Sequence, residues 1–403
     1  MTLLFYCSFN GVVALYHIPY RSELRQDQFA KIKPMPRPIR AVVNSAAISF
    51  NIKRIRQLLG GVGQLMPVVK ANAYGHGLER IYPSLESADA LAILEIEGAE
   101  KLRTLGWIKP ILLLEGCFDR SDLHKAIDLK CDWVVHEQSQ LLALENIPNL
   151  KLVYKPRIFL KMNTGMNRLG FHRSTIQAAI RQLDQFTTQN SWPTPVLMTH
   201  FANADEPEPR QRHPTVEDQY NNLINIKPSH WLSSLGNSAG ILNFPDLAGD
   251  IARPGIAIYG ASPGPDTVVN YGLKPALKFE SEIIAIQNID EGDRVGYGSR
   301  WQAEKDGRIA VVACGYADGY PRYAPDGTPT FVEGRVAPVA GRVSMDMMTI
   351  DITHIPEAIV GSTVELWGEN ILVDTVAERC GTISYDLLCS ITARVPFFIA
   401  SYE

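Results

Sequence analysis

The sequence predicts an α/β protein: a TIM-like (β/α)8 barrel followed by a C-terminal, mostly antiparallel β domain. Three observations carry that expectation. From residue 46 onward, short β-branched runs alternate with amphipathic segments of ten or more residues, the signature of a parallel β/α architecture. Eight such runs can be counted, and that number favours a closed barrel. After about residue 270 the pattern changes to apolar and polar residues alternating between Gly, Asp and Pro turns, as antiparallel strands require. An open doubly wound sheet is the alternative, but no G-x-G-x-x-G follows the first strand.

Residues 1–34 stand apart from this pattern. The stretch MTLLFYCSFNGVVALYHIPY is apolar, but it lacks the basic start and small-residue cleavage site of an export signal. Asn10-Gly11 and His17 interrupt it, and it is too short to span a membrane. It is expected to be an N-terminal extension ahead of a start at Met35, with the barrel occupying 35–268 and the β domain 269–403. Barrel strands are expected at 66–70, 91–95, 111–115, 132–135, 157–162, 196–201, 231–235 and 252–258. Helical spacing of apolar residues marks EGAEKLRTLG, SDLHKAIDLK, STIQAAIRQLDQF and VEDQYNNLINI between them. The run at 41–44 falls outside the eight and is free to pair with the second domain. One late helix is expected at 373–380.

The bulk numbers narrow the function. A length of 403 residues fits two domains, or a barrel with an appendage. A net charge of -4 gives no electrostatic case for nucleic acid or an anionic membrane. Six cysteines with no C-x-x-C spacing suggest neither a zinc cage nor a disulfide framework. No metal site is expected, and the cysteines read as buried or inert thiols in a reducing cytoplasm.

In a β/α barrel the reactive side chains belong at the carboxyl ends of the strands, and phosphate is commonly held by the loops after the last two. Lys70 ends the first strand in MPVVKANAYGHG. Lys161 is near the end of the fifth, with Arg168 just beyond, and His200 ends the sixth. Asn237 and Ser238 follow the seventh in LGNSAG, a small-residue turn able to offer backbone N–H groups to an anion. Arg253 and Gly255 lie on the eighth. A lysine at a strand tip is expensive unless it is paired, exposed or covalently used. A lysine, a phosphate cradle and polar groups at one barrel mouth together point to pyridoxal phosphate held by an imine.

Read in order, VVKANAYGHG, LKMNTGMNRLGF, MTHFANADE, NSAG, RPGIAIYG, VGYGS, GYADGY and GRVSMDM resemble the alanine racemases over about residues 36–400. The resemblance implies the two-domain fold read above and a homodimer with a composite site. Its reaction would be pyridoxal-phosphate-dependent interconversion of L- and D-alanine, a cytoplasmic supply of D-alanine for peptidoglycan. It further implies that Lys70 carries the cofactor and acts as one base, while Tyr297 of the partner subunit acts as the second from the opposite face. By the same resemblance Tyr74, Ser238, Gly255 and Ile256 contact phosphate, Arg253 faces the ring nitrogen, and His200 underlies the ring. Arg168 and Met345 would receive the substrate carboxylate, and Lys161 corresponds to a lysine often carbamylated (N6-carboxylysine). Asp205, Tyr316, Arg342 and Asp346 correspond to the access corridor. Two positions depart from the family pattern: Asn163 replaces an aspartate, and Ala393 stands where some members have a phosphate-binding tyrosine. A broader amino-acid racemase, a related decarboxylase and a non-catalytic pyridoxal phosphate protein are the rival readings. The last of these resembles only the barrel half.

Overall fold

The computed structural model describes residues 37–61, 63–145, 147, 154–206, 213–264 and 268–400. The expectation for 1–34 therefore lies outside the described residues. The first strand, β1 (Ile39–Val43), belongs to the second domain's sheet rather than to the barrel. It pairs antiparallel with Leu277–Ile289, placing Ala41 opposite Phe279, and parallel with Phe397–Ile399. Helix α1 (Ser45–Leu58) starts at Asn44, whose side chain accepts from the Ala47 N–H, and buries Ala47, Ile48, Asn51, Ile52 and Ile55 on one face.

Eight parallel strands follow: β2 (Gln64–Leu65), β3 (Leu91–Ile93), β4 (Ile111–Leu113), β5 (Asp132–Val135), β6 (Ile158–Lys161), β7 (Val196–Met198), β8 (Leu232–Ser234) and β9 (Ile251–Ala252). Strands β3 to β8 form one continuous parallel sheet. Backbone bonds close the ring on both sides. Ala92 N–H donates to Pro67 O and Val69 N–H to Ala92 O, joining β3 to the extension of β2. Met66 N–H reaches Ala252 O, and Arg253 N–H reaches Gly236 O, joining β2 to β9 and β9 to β8. Strands β3 to β7 are buried at every position, because helices cover their outer face and packed side chains their inner one.

The intervening helices are α2 (Ile96–Thr104), α3 (Arg120–Asp128), α4 (Gln138–Leu144), α5 (Ile176–Asn190), α6 (Val216–Ile224) and α7 (Ser238–Asn243). Their starts follow local chemistry. Asp119 caps α3, Asn237 caps α7, and Thr215 with Asp218 forms a reciprocal capping box on α6. The eighth barrel strand departs from expectation: instead of a strand over 252–258, two residues of β9 give way to a 3-10 turn at Ile256–Tyr259. Pro254 and Gly255 break the ladder there.

The second domain is built on β10 (Leu277–Ile289), a 13-residue strand. Its first half pairs with β1 and with Thr363–Trp367, and across a bulge at Ile283/Ala285 its second half pairs with Gly307–Val312. Every pair in this sheet except β1 with Phe397–Ile399 is antiparallel. Phe279 packs on Trp367 at 4.7 Å and Tyr320 stacks on the same indole at 6.0 Å, filling its core. Helix α8 (Val373–Arg379) occupies the expected position, and a further helix, α9 (Ser384–Ser390), follows it.

Candidate active site

The carboxyl-terminal mouth of the barrel opens into a cavity of about 580 Å³. Each strand end delivers the side chain that the strand-end rule predicts. Lys70 and Tyr74 follow β2, Lys161 and Arg168 come from β6 and its loop, and His200 and Asp205 come from the loop after β7. Asn237 and Ser238 follow β8, and Arg253 and Gly255 follow β9; all line the same cavity.

Lys70 does not end a strand in the expected way. A β-bridge from Val68 to Ala92 ends the extended chain, Val69 turns away at φ -121° and ψ 23°, and Lys70 opens a turn in which Ala71, Asn72, Ala73 and Tyr74 have φ of 52°, 51°, 58° and 50°. Left-handed backbone costs L-residues roughly 1–2 kcal/mol each, so surrounding contacts must hold this turn. Gly75 continues at φ 80°, and a Cβ there would overlap the Leu388 carbonyl of α9. Tyr74 stacks on Tyr259 at 4.8 Å and lies 5.8 Å from Tyr385 of α9. Its hydroxyl approaches Gly255 so closely that a Cβ there would stand 2.5 Å away.

Two short helical starts meet beside that phenol. Ser238 Oγ accepts from Gly255 N–H at 2.8 Å and Ala257 N–H at 3.2 Å, which leaves its own proton to donate to an anion. Asn237 Oδ1 caps α7 through Gly240 N–H, and Ile256 opens the 3-10 turn with a first-turn N–H that has no acceptor inside the turn. These donors, bare backbone at Gly255 and the Tyr74 hydroxyl fit a phosphate group.

Deeper in the cavity the groups are cationic. Arg253, only 3% exposed, donates to Ser234 Oγ at 2.5 Å, Thr199 O at 2.7 Å and Leu235 O at 3.4 Å. Burial lowers its pKa to about 10, so it stays charged at neutral pH. Burial and then the neighbouring Arg253, Lys161, Arg168 and Lys70 hold His200 well below the ordinary imidazole range. The Asn237 amide, 3.3 Å from its Nε2, donates to the neutral ring. Lys161 is 7% exposed, and burial, reinforced by Arg253 and Arg168, lowers its pKa to about 8. A good fraction of Lys161 is therefore a neutral, nucleophilic amine near pH 8.

The remaining sequence-predicted residues lie elsewhere. Tyr297 is 72% exposed and Met345 53% exposed on the second domain. Arg342 packs against Gly296 and Gly298, the glycines flanking Tyr297. Tyr316 N–H donates to Ser344 O, Ala317 N–H to Met345 O, and Asp346 accepts from Arg394. None of Tyr297, Tyr316, Arg342, Met345 or Asp346 lines the cavity that holds Lys70. The set named for the access corridor is thus divided, with Asp205 on the barrel and its other members on the second domain.

Of the two departures, Asn163 accepts from Gly165 and Asn167 N–H groups and so shapes the loop leading to Arg168, while Ala393 is exposed. Sequence reasoning missed Glu115, Tyr385 and Cys389 on the cavity wall. Glu115 follows β4 and was accessible to the strand-end rule; the other two sit on α9, which the sequence did not announce. Among the cysteines, Cys389 is exposed, whereas Cys131 and Cys314 are buried.

Residues 43–263 match the family model for the alanine racemase N-terminal domain, and residues 276–399 match that for the alanine racemase C-terminal domain. An alanine racemase of Nitrosomonas eutropha is 44% identical over 363 residues, covering 90% of this chain and 99% of its own. One of Burkholderia mallei is 43% identical over 371 residues, with coverage of 90% and 99%. Among solved structures, biosynthetic alanine racemase from Pseudomonas aeruginosa is 39% identical with a TM-score of 0.82, covering 91% of this chain and 100% of that one. Alanine racemase from Bartonella henselae, solved with covalently bound pyridoxal phosphate, is 26% identical with a TM-score of 0.79, covering 91% and 100%.

Proposed function

The chain belongs to the alanine racemase family, and on that premise we propose how its own residues carry out the reaction. It is an isomerase of L- and D-alanine that depends on pyridoxal phosphate. The cavity suits that cofactor: Gly255 leaves room where a Cβ would intrude, and Ser238 presents a free hydroxyl proton. Bound there, pyridoxal phosphate supplies an aldehyde that condenses with amines and a conjugated ring that accepts the electron pair left by a departing α-proton.

Tyr74, Ser238 and the Gly255 and Ile256 N–H groups are assigned to the phosphate, and His200 with Asn237 to the ring's lower side. Arg253 is assigned to the ring nitrogen. Its guanidinium keeps its proton, so that nitrogen stays unprotonated and the ring remains a modest electron sink, which limits side reactions. The Lys70 amine takes and returns the α-proton on one face. Arg168 and the Met345 N–H receive the substrate carboxylate, and Lys161, as its carbamate, orients Arg168. Inversion needs a second acid–base group on the other face, and Tyr297 is assigned that role from a second copy of the chain. Asp205, Tyr316, Arg342 and Asp346 then line the approach between the two copies.

The observation that carries the two-copy reading is the separation within one chain: Lys70 lines the cavity, while Tyr297 is an exposed phenol elsewhere. A subunit-mixing experiment tests it. Lys70→Ala and Tyr297→Phe homodimers should each be inactive, and mixed after dissociation they should recover about a quarter of the wild-type sites, because one of the two sites in each mixed dimer is intact. No recovery in demonstrably mixed dimers would place both bases on one chain and refute the reading. We place the activity in the cytoplasm, supplying D-alanine for peptidoglycan; no helix among the described residues is long and apolar enough to cross a membrane.

A further inference from the structure

His76 has no part in the reaction described above, yet it is wholly buried two residues beyond Tyr74. Its Nδ1 lies 2.9 Å from the Tyr74 carbonyl oxygen and 3.1 Å from that of Ala73. Carbonyls only accept, so Nδ1 carries the proton and donates to both. Nε2 is buried with no partner. The ring is therefore the neutral Nδ1–H tautomer, and burial lowers its pKa to about 4. It packs on Tyr259 at 4.6 Å, and Tyr259 in turn stacks on Tyr74 and donates its hydroxyl to Val68 O at 3.1 Å.

An aromatic or aliphatic residue could fill this space without burying an orphan nitrogen, which is costly. The Nδ1–H is what an apolar residue would lack. The two carbonyls it reaches close the left-handed turn, at φ 58° and 50°, a conformation that persists only where its surroundings over-determine it.

We propose that His76 is a positioning residue: its Nδ1–H latches the left-handed turn that presents Lys70 and Tyr74 to one cavity, and so sets the affinity for pyridoxal phosphate. This rests on the assignment of Lys70 and Tyr74 to the cofactor made above. The latch acts through geometry, without changing its own charge, and its loss should loosen the turn while leaving the barrel intact.

The test compares two amides of opposite reach. His76→Asn puts an N–H where Nδ1 sits, and His76→Gln puts one nearer Nε2. Cofactor is removed from the full-length holoenzyme and titrated back, following the absorbance of the lysine-bound form. H76Q should bind pyridoxal phosphate at least about tenfold more weakly than wild type, and H76N should stay within about threefold. Adding Ala71→Gly to H76Q should recover much of the loss, because glycine adopts φ near 52° without penalty. Wild-type affinity in H76Q, or equal losses in H76N and H76Q, would overturn the latch. Borohydride trapping in wild type separates the two claims. Label away from Lys70 overturns the underlying assignment and the latch with it, whereas label on Lys70 with indifferent variants overturns the latch alone.

Discussion

Replacing Gly255 by alanine should weaken cofactor binding by displacing the Tyr74 phenol and by straining the backbone. Gly255 has φ -104° and ψ -98°, a pair outside the α and β regions that alanine favours, so some backbone strain accompanies the side-chain clash. The added Cβ would stand 2.5 Å from the Tyr74 hydroxyl oxygen and 3.2 Å from its Cζ, with Val68 Cβ next at 3.8 Å. The phenol must retreat by at least about 0.5 Å to reach even a tight contact. It cannot do so freely, being stacked on Tyr259 and flanked by Tyr385. A displaced phenol loses a hydrogen bond to a charged phosphate, worth about 1.5–3 kcal/mol, or roughly 10- to 150-fold in Kd. The assay is pyridoxal phosphate titration of Gly255→Ala, Tyr74→Phe and the double variant. Because both single changes remove the same bond, the losses should fall short of multiplying in the double variant, with the backbone strain at residue 255 making it weaker than Tyr74→Phe alone. Affinity of Gly255→Ala within about twofold of wild type, or losses that multiply in the double variant, would refute the reasoning.

Two further outcomes are expected. Gly75→Ala, which forces a Cβ onto the Leu388 carbonyl at φ 80°, should destabilise the protein by about 2 kcal/mol or more, read by denaturant midpoint; an unchanged midpoint would show that α9 does not clamp this turn. Lys161 has a folded-state pKa of about 8, below its ordinary 10.5. Burying its ammonium therefore opposes folding below pH 8, and that opposition fades as pH rises from about 8 to about 10.5. Carbon dioxide reacts with the neutral amine, so a carbamate signal from labelled bicarbonate should strengthen as pH rises through about 8 and vanish in Lys161→Arg. A wild-type spectrum without that signal would establish Lys161 as an unmodified amine.

Much of the architecture was legible because it rests on local patterns. Apolar runs such as LAI, ILL and IFLK are buried on both sides, and parallel strands under helices have that composition. Once eight runs are counted, the strand-end rule alone gathers Lys70, Lys161, His200, Ser238 and Arg253 at one mouth. The short helix α9 was not legible: its buried face is Ser384, Leu387 and Leu388, so a serine stands where the equally short α8 has the apolar Val373 of its Val373, Val376, Ala377 pattern. Missing it hid Tyr385 and Cys389.

By itself, the sequence determined the order of the elements, the residues at the barrel mouth and the kinship of both domains, since these follow from composition, spacing and motif. Tertiary structure alone decided how Lys70 is presented. Ala and Tyr do not favour left-handed backbone, though Asn tolerates it, and hydrogen bonds from His76 with packing against Tyr259 and Leu388 help hold the turn there. It also decided the lowered pKa of Lys161 and the neutrality of His200, because both depend on burial beside Arg253. Local preference cannot encode either effect; each arises from groups distant in the chain that share one cavity wall.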